Sequence, residues 1–203
     1  MSHPAFRPTH LSGIRVPERQ RLRGSMKTLT LLRHAKSGDD GLAARDIDRR
    51  LNAKGRRAAR AMGRMLRETQ TRFDAVLASP ATRVAETVEE VSNGYGRGLA
   101  PAWDRRIYLA SAPELIDLVR EQPAATNSLL LIGHNPGLED LVLALVPGTD
   151  VKRGAVEEKY PTATLAEIRL DIEDWADLAP AAGALTRFVR PRDLDPELGP
   201  DPA

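Results

Sequence analysis

Three short stretches of this chain place histidine or arginine directly after an apolar run. Leu31-Leu32 leads into Arg33-His34-Ala35. The run ending at Ala78 gives way to Ser79-Pro80, with Arg83 just beyond it. Ser128–Ile132 leads into Gly133-His134-Asn135-Pro136-Gly137. Active sites of open α/β sheets gather beyond the carboxyl ends of the strands. If these runs are neighbouring parallel strands, two histidines and two arginines converge on one pocket. Two guanidiniums at one place imply a multiply charged anion, and phosphoryl is the commonest. A helix start at Asn135 adds partial positive charge. One imidazole can be a nucleophile and the other can stabilise charge on the equatorial oxygens. A neutral imidazole attacking phosphorus gives a phosphohistidine, which water then hydrolyses. The surrounding guanidiniums are expected to hold that imidazole neutral, because like charge disfavours protonation.

Each stretch taken singly has an ordinary explanation. His34 alone can be a satisfied core histidine at a strand end. His134-Asn135-Pro136 alone can be a helix cap with a turn. Arg83 alone can pair with Glu86 or Glu90 along its helix, worth only roughly 0.3–0.5 kcal/mol if exposed. Three such coincidences at three strand ends favour the catalytic reading. Asp46 and Asp48 resemble a metal pair, but a solvated loop or an ion pair with Arg49 or Arg50 accounts for them better. No His-Glu-x-x-His, P-loop or Gly-x-Ser-x-Gly pattern is present.

The elements that must position these groups alternate. Lys27–Leu32 and Asp74–Ser79 read as strands, and Ser128–Ile132 as a buried one. Ala163–Leu170 and Ala184–Arg190 are later strands. Asn52 is expected to cap a helix reaching Glu68, with Ala58, Met62, Met65 and Leu66 on one face and a basic opposite face. A second helix runs from Ala81 to Val91 and breaks in Asn93–Gly98. A third spans Pro113–Glu121. Asn135 is expected to cap a fourth, with Pro136 at its first position. Trp103 and Trp175 read as packing residues. The alternation predicts an α/β three-layer sandwich with a mostly parallel central sheet and helices on both faces.

Composition bounds the function. The 203 residues suit one domain. There is no cysteine, which excludes disulfides, Cys-based metal centres and Cys-nucleophile phosphatases. No apolar run reaches the length of a membrane span. Residues 1–25 hold five arginines against one acid, so this segment supplies the excess base. With aromatics at only 4%, the basic pI is no nucleic-acid signal. The expected organisation is a disordered basic arm at 1–25, one domain at 26–194 and a frayed end at 195–203. Met26 is an alternative natural start.

Four motifs in order carry a resemblance: LLRHAKS (Leu31–Ser37), DIDRRLNAKG (Asp46–Gly55), SPATRVAET (Ser79–Thr87) and LLLIGHNPGLEDL (Leu129–Leu141). KYPTATLAEI (Lys159–Ile168) and LTRFVRP (Leu185–Pro191) extend it. The stretch 26–192 resembles the histidine phosphatase superfamily, also called phosphoglycerate-mutase-like, and within it the compact SixA-type phosphohistidine phosphatases. The resemblance implies His34 as the phosphorylated nucleophile. It implies Arg33, Arg83 and His134 as the phosphate pocket, with Ser37 as a secondary phosphate contact. Asp40 stands where larger members often place Asn, and Ala35 where Gly is more usual. Larger members also carry a Glu that protonates the leaving oxygen. Asp104 is the nearest candidate here, with Glu114 weaker.

A missing acid would suit one substrate class. A P–N bond to imidazole can break with the leaving nitrogen already protonated, whereas an alkoxide needs a proton supplied. The short chain leaves no room for the lid insertions of larger members, and an open site suits a protein-borne phosphohistidine. The expectation is a cytoplasmic phosphatase with no metal or other cofactor. Its partner would be a phosphorylated protein (a phosphotransfer domain or carrier) or a small phosphate ester, not nucleic acid or membrane. The alternatives are a small-molecule phosphomonoesterase of the same fold and a non-catalytic phosphate-binding adaptor.

Overall fold

The computed structural model describes residues 26–38 and 45–200. The arm at 1–25, Asp40 and the last three residues of the expected frayed end lie outside the described residues.

β1 (Lys27–Arg33) leads through a turn at Asp46–Asp48 to α1 (Ala53–Glu68). β2 (Ala75–Ala78), α2 (Thr82–Tyr95), β3 (Ala102–Trp103) and α3 (Ala112–Arg120) follow. Then come β4 (Ser128–Gly133), α4 (Gly137–Leu145), α5 (Arg153–Glu158), β5 (Leu165–Leu170), β6 (Gly183–Val189) and α6 (Pro191–Leu194). The strands form one sheet in the order β3-β2-β4-β1-β5-β6. β3, β2, β4 and β1 run parallel, while β5 and β6 join antiparallel. The sheet is thus mostly parallel, with an antiparallel edge.

Central strands buried on both faces read as continuous apolar runs. Alternation then sends side chains to two cores. Leu29, Leu31, Leu129 and Leu131 join a cluster with Leu115 of α3 and Leu138, Leu141 and Val142 of α4. Leu32, Leu130 and Ile132 join Met62 and Leu66 of α1 and Val84 and Val91 of α2 on the other face. Asn52 caps α1 as expected, its side chain accepting from the Gly55 N–H at 2.8 Å.

Four expectations need correction. α2 runs on to Tyr95 and stops at Gly96, whose φ of 75° closes the helix in the left-handed region that glycine tolerates. Trp103 is 49% exposed on the short edge strand, so only Trp175 is a packing residue. Asn135 does not cap α4, because its side chain instead donates to Glu139 and to the Tyr160 carbonyl; Pro136 holds the cap position. Residues 195–200 do not fray, since Leu198 is buried in the α1 core and Glu197 pairs with Arg57 at 2.8 Å. On the basic face of α1, Arg56 and Arg60 pair with Glu86 and Glu90 of α2, the two acids that a purely structural Arg83 would have used.

α1 and α2 touch through glycine. A Cβ on Gly63 would stand 2.1 Å from the Val91 carbonyl oxygen. Neither backbone can yield without moving a helix. Gly63→Ala is therefore expected to destabilise the fold by about 1–3 kcal/mol, even though alanine favours a helix over glycine. Gly98→Ala, whose added carbon meets nothing within 4 Å, is expected to stay within about 0.5 kcal/mol. Urea midpoints of the two variants check this, and equal midpoints would contradict the close helix contact.

Candidate active site

The sheet order puts β4 between β2 and β1, so three parallel carboxyl ends lie side by side. Arg33 closes β1 with His34 just beyond, Ser79 follows β2, and His134 follows β4. The His34 N–H donates to the Gly133 carbonyl and the Ser79 N–H to that of Ile132, so the parallel ladder continues into the site. Arg83 comes from the first turn of α2. Thr87, one turn on, accepts from the Ala35 N–H while donating to the Arg83 carbonyl, which ties the two segments together.

The four expected groups meet. The His34 and His134 ring centroids are 5.1 Å apart. Arg83 Nε donates to His34 Nε2 at 3.3 Å. His34 Nδ1 lies 2.8 Å from the Ala35 carbonyl oxygen, which can only accept. Nδ1 therefore carries the proton and Nε2 the lone pair. Arg33 Nη1 donates to the Tyr160 carbonyl at 2.6 Å. His134 Nε2 shares a hydrogen bond with Ser79 Oγ at 2.9 Å. Arg33 Nε and His134 Nδ1 are buried with no partner among the described residues. Buried polar atoms are ordinarily paired, and an oxyanion would satisfy donors placed there.

Both imidazoles are buried, His34 at 9% exposure and His134 at 3%. Burial pushes His34 down to about 4, with Arg83, Arg33 and Arg49 adding to it against the opposing Ala35 hydrogen bond. Burial likewise pushes His134 down to about 3, helped by His34 and Arg83. Neutrality was expected from the guanidiniums, but desolvation is the larger cause.

Ser37 sits past His34 in an isolated antiparallel bridge with Leu51. Asp104 is taken up by Arg106, whose hydrogen bonds hold it below the usual carboxylate range. Glu114 caps α3 through Ser111 and is lowered in the same way. Neither expected acid is thus poised to release a proton.

Two residues of the site escaped the sequence reading. Asp46 accepts from Arg83 Nη2 at 2.9 Å and from the Tyr108 hydroxyl at 2.7 Å. Tyr108 and then Arg83 pull its carboxyl down to about 2, so it stays ionised. The Tyr108 ring meets His134 edge-on at 5.3 Å. Both lie in short irregular turns that carry no periodic signal, although Asp46 does begin one of the four motifs. The Asp46–Arg49 ion pair exists at 3.4 Å, and Asp48 pairs with Arg45 instead. Among the described residues no group of three or more His, Asp and Glu is placed to hold a metal. No helix among them is long and apolar enough to cross a membrane.

A profile of the histidine phosphatase superfamily (branch 1) matches residues 29–106. An uncharacterized protein of Mycobacterium tuberculosis is 37% identical over 166 residues, spanning 79% of this chain and all of that protein. The chain belongs to the histidine phosphatase superfamily. A structure from Nakamurella multipartita, described as a candidate phosphohistidine phosphatase SixA, is 28% identical. It superposes with a TM-score of 0.72 over 82% of this chain and 96% of its own. Its counterpart from Agrobacterium tumefaciens, described in the same way, is 26% identical with a TM-score of 0.68, over 80% and 97% of the two chains. Membership in this superfamily supports phosphatase activity.

The depressed histidines make stability depend on pH. An unfolded imidazole titrates near its ordinary pKa of about 6.5. Below that, the unfolded chain binds protons that the fold refuses, so stability is full above about pH 6.5 and falls on acidification toward about 4. Urea unfolding between pH 7 and pH 4.5 is expected to show this loss, and His34→Asn with His134→Asn to flatten it. Imidazole NMR should find neither ring titrating above pH 5. A ring titrating near 6.5 would contradict the burial argument.

Proposed function

We propose that this phosphatase removes the phosphoryl group from a phosphohistidine of a cytoplasmic partner protein, forming a phosphohistidine of its own at His34. The observation that carries the reading is the His34 tautomer. Its Nε2 is unprotonated, takes the Arg83 Nε–H and belongs to a ring packed beside a second imidazole. In the first step Nε2 attacks phosphorus in line, and the bond from phosphorus to the substrate nitrogen breaks. The electron pair stays on that nitrogen, and the substrate ring leaves as neutral imidazole because its other nitrogen already carries a proton. As the phosphoryl group arrives, the Arg83 Nε–H passes from Nε2 to a phosphoryl oxygen. Arg33 and His134 offer donors to the remaining oxygens; the two guanidiniums neutralise the transferring group, and neutral His134 contributes a hydrogen bond. In the second step water attacks phosphorus from the opposite side and the P–Nε2 bond breaks. Inorganic phosphate leaves carrying the water's oxygen, and His34 is restored neutral. Asp46 acts as a positioning residue that holds the Arg83 fork.

The choice of a P–N substrate follows from the carboxylates. Asp46 is committed to Arg83 and Tyr108, Glu139 accepts from Asn135, and Asp104 and Glu114 are bound elsewhere. A leaving group that brings its own proton fits such a site better than an alkoxide does. The description of the Nakamurella relative as a candidate phosphohistidine phosphatase supports the same reading.

Brief incubation with a labelled phosphohistidine protein, quenched in acid or in base, tests it. An acid-labile, base-stable label is expected on the wild-type chain and not on His34→Ala. The latter should lose turnover by on the order of 10³-fold or more. Asp104→Asn should keep turnover within about twofold, because its carboxylate is already taken up by Arg106. A fully active His34→Ala protein overturns the mechanism. Loss of most alkyl phosphate turnover in Asp104→Asn would favour a small-molecule phosphomonoesterase.

A further inference from the structure

A cavity of about 520 Å³, within the usual size range of binding pockets, opens at Arg33, the neighbour of His34 in the chain. Six cations line it: Arg33, Lys36, Lys54, Lys159, Arg190 and Arg192. Among the described residues no Asp or Glu lines it. Arg33 belongs to both places, since it stands next to His34 in the chain and also forms part of this wall. Arg190 is partly answered by Asp193 at 3.2 Å. The Lys159 and Arg192 side chains are exposed and enter no hydrogen bond or ion pair with described residues. Like charges gathered in a concave site focus a positive field and raise the local concentration of anions.

The kind of anion can be narrowed. No aromatic side chain lines the cavity, so it offers no platform for stacking nucleic-acid bases. The cations come from four separate places: the end of β1 with the loop after it, α1, the end of α5 and the α6 turn. Such a spread suits several carboxylates in a row better than a single further phosphate. We infer that this cavity receives an acidic segment of the phosphorylated partner, next to the phosphohistidine that enters the His34 site. The inference rests on the reading of a protein-borne substrate and adds the feature by which that protein is chosen.

The test uses two phosphohistidine peptides of equal length, one flanked by Asp and Glu and the other by Asn and Gln. Each is given to the full-length wild type and to a Lys159→Glu, Arg192→Glu double variant. Both substituted positions are exposed. The wild type is expected to favour the acidic peptide by about tenfold in kcat/KM, through KM and not kcat, with the advantage shrinking as salt is raised. The double variant should lose that preference while its turnover of p-nitrophenyl phosphate is unchanged. If the wild type cleaves both peptides equally, or the variant keeps the preference, the cavity assignment is overturned and the phosphohistidine reading stands. If neither peptide is cleaved in a His34-dependent way while p-nitrophenyl phosphate is, both fall together.

Discussion

An imidazole attacks phosphorus only while one ring nitrogen holds a bare lone pair. The mechanism proposed for this site depends on keeping His34 in that state beside groups that must themselves be positive. Burial does most of this, because the charged ring would lose its hydration with no carboxylate against it in return. Local hydrogen bonding completes it. An acceptor at Nδ1 and a donor at Nε2 leave one tautomer that satisfies both neighbours. The arginines can then be permanently charged without competing for the same proton.

The fold meets this demand through the order of its strands. Placing β4 between β2 and β1 brings together three chain segments that lie far apart in sequence. The KYPTA segment adds a fourth constraint. Ala163 takes a φ of 58°, and its N–H reaches the carbonyls of both Arg33 and His34. A non-glycine residue in the left-handed region is held there by its surroundings, and here it fixes the backbone under the nucleophile.

Much of this was legible in the residues. Apolar runs ending in Arg-His, Ser-Pro and Gly-His marked strand ends, and parallel pairing was enough to bring them together. Regular elements announce themselves by period and by capping residues, as Asn52 did for α1. What escaped lies where no period exists. Asp46 and Tyr108 come from single turns and meet only in space. The rest concerned competition between partners. Asn135 has the chemistry of a helix cap but finds Glu139 and the Tyr160 carbonyl instead. Acidity and proline suggested a loose end after Asp195, yet one leucine with a core to enter outweighs them.

The sheet is divided by strand direction. Its parallel half ends in the groups proposed to handle phosphorus, whereas the segments flanking its antiparallel half, with Pro161 and Thr162 before it and Arg190, Arg192 and Leu198 after it, supply much of the cavity wall. Apart from Arg33, which serves both, the proposed reaction and the proposed selection are therefore written in different stretches of the polypeptide. The lettering of α6 and the closing turn can drift toward new partners while the inner strand tips stay untouched. A fold arranged in this way can serve many clients with one chemistry.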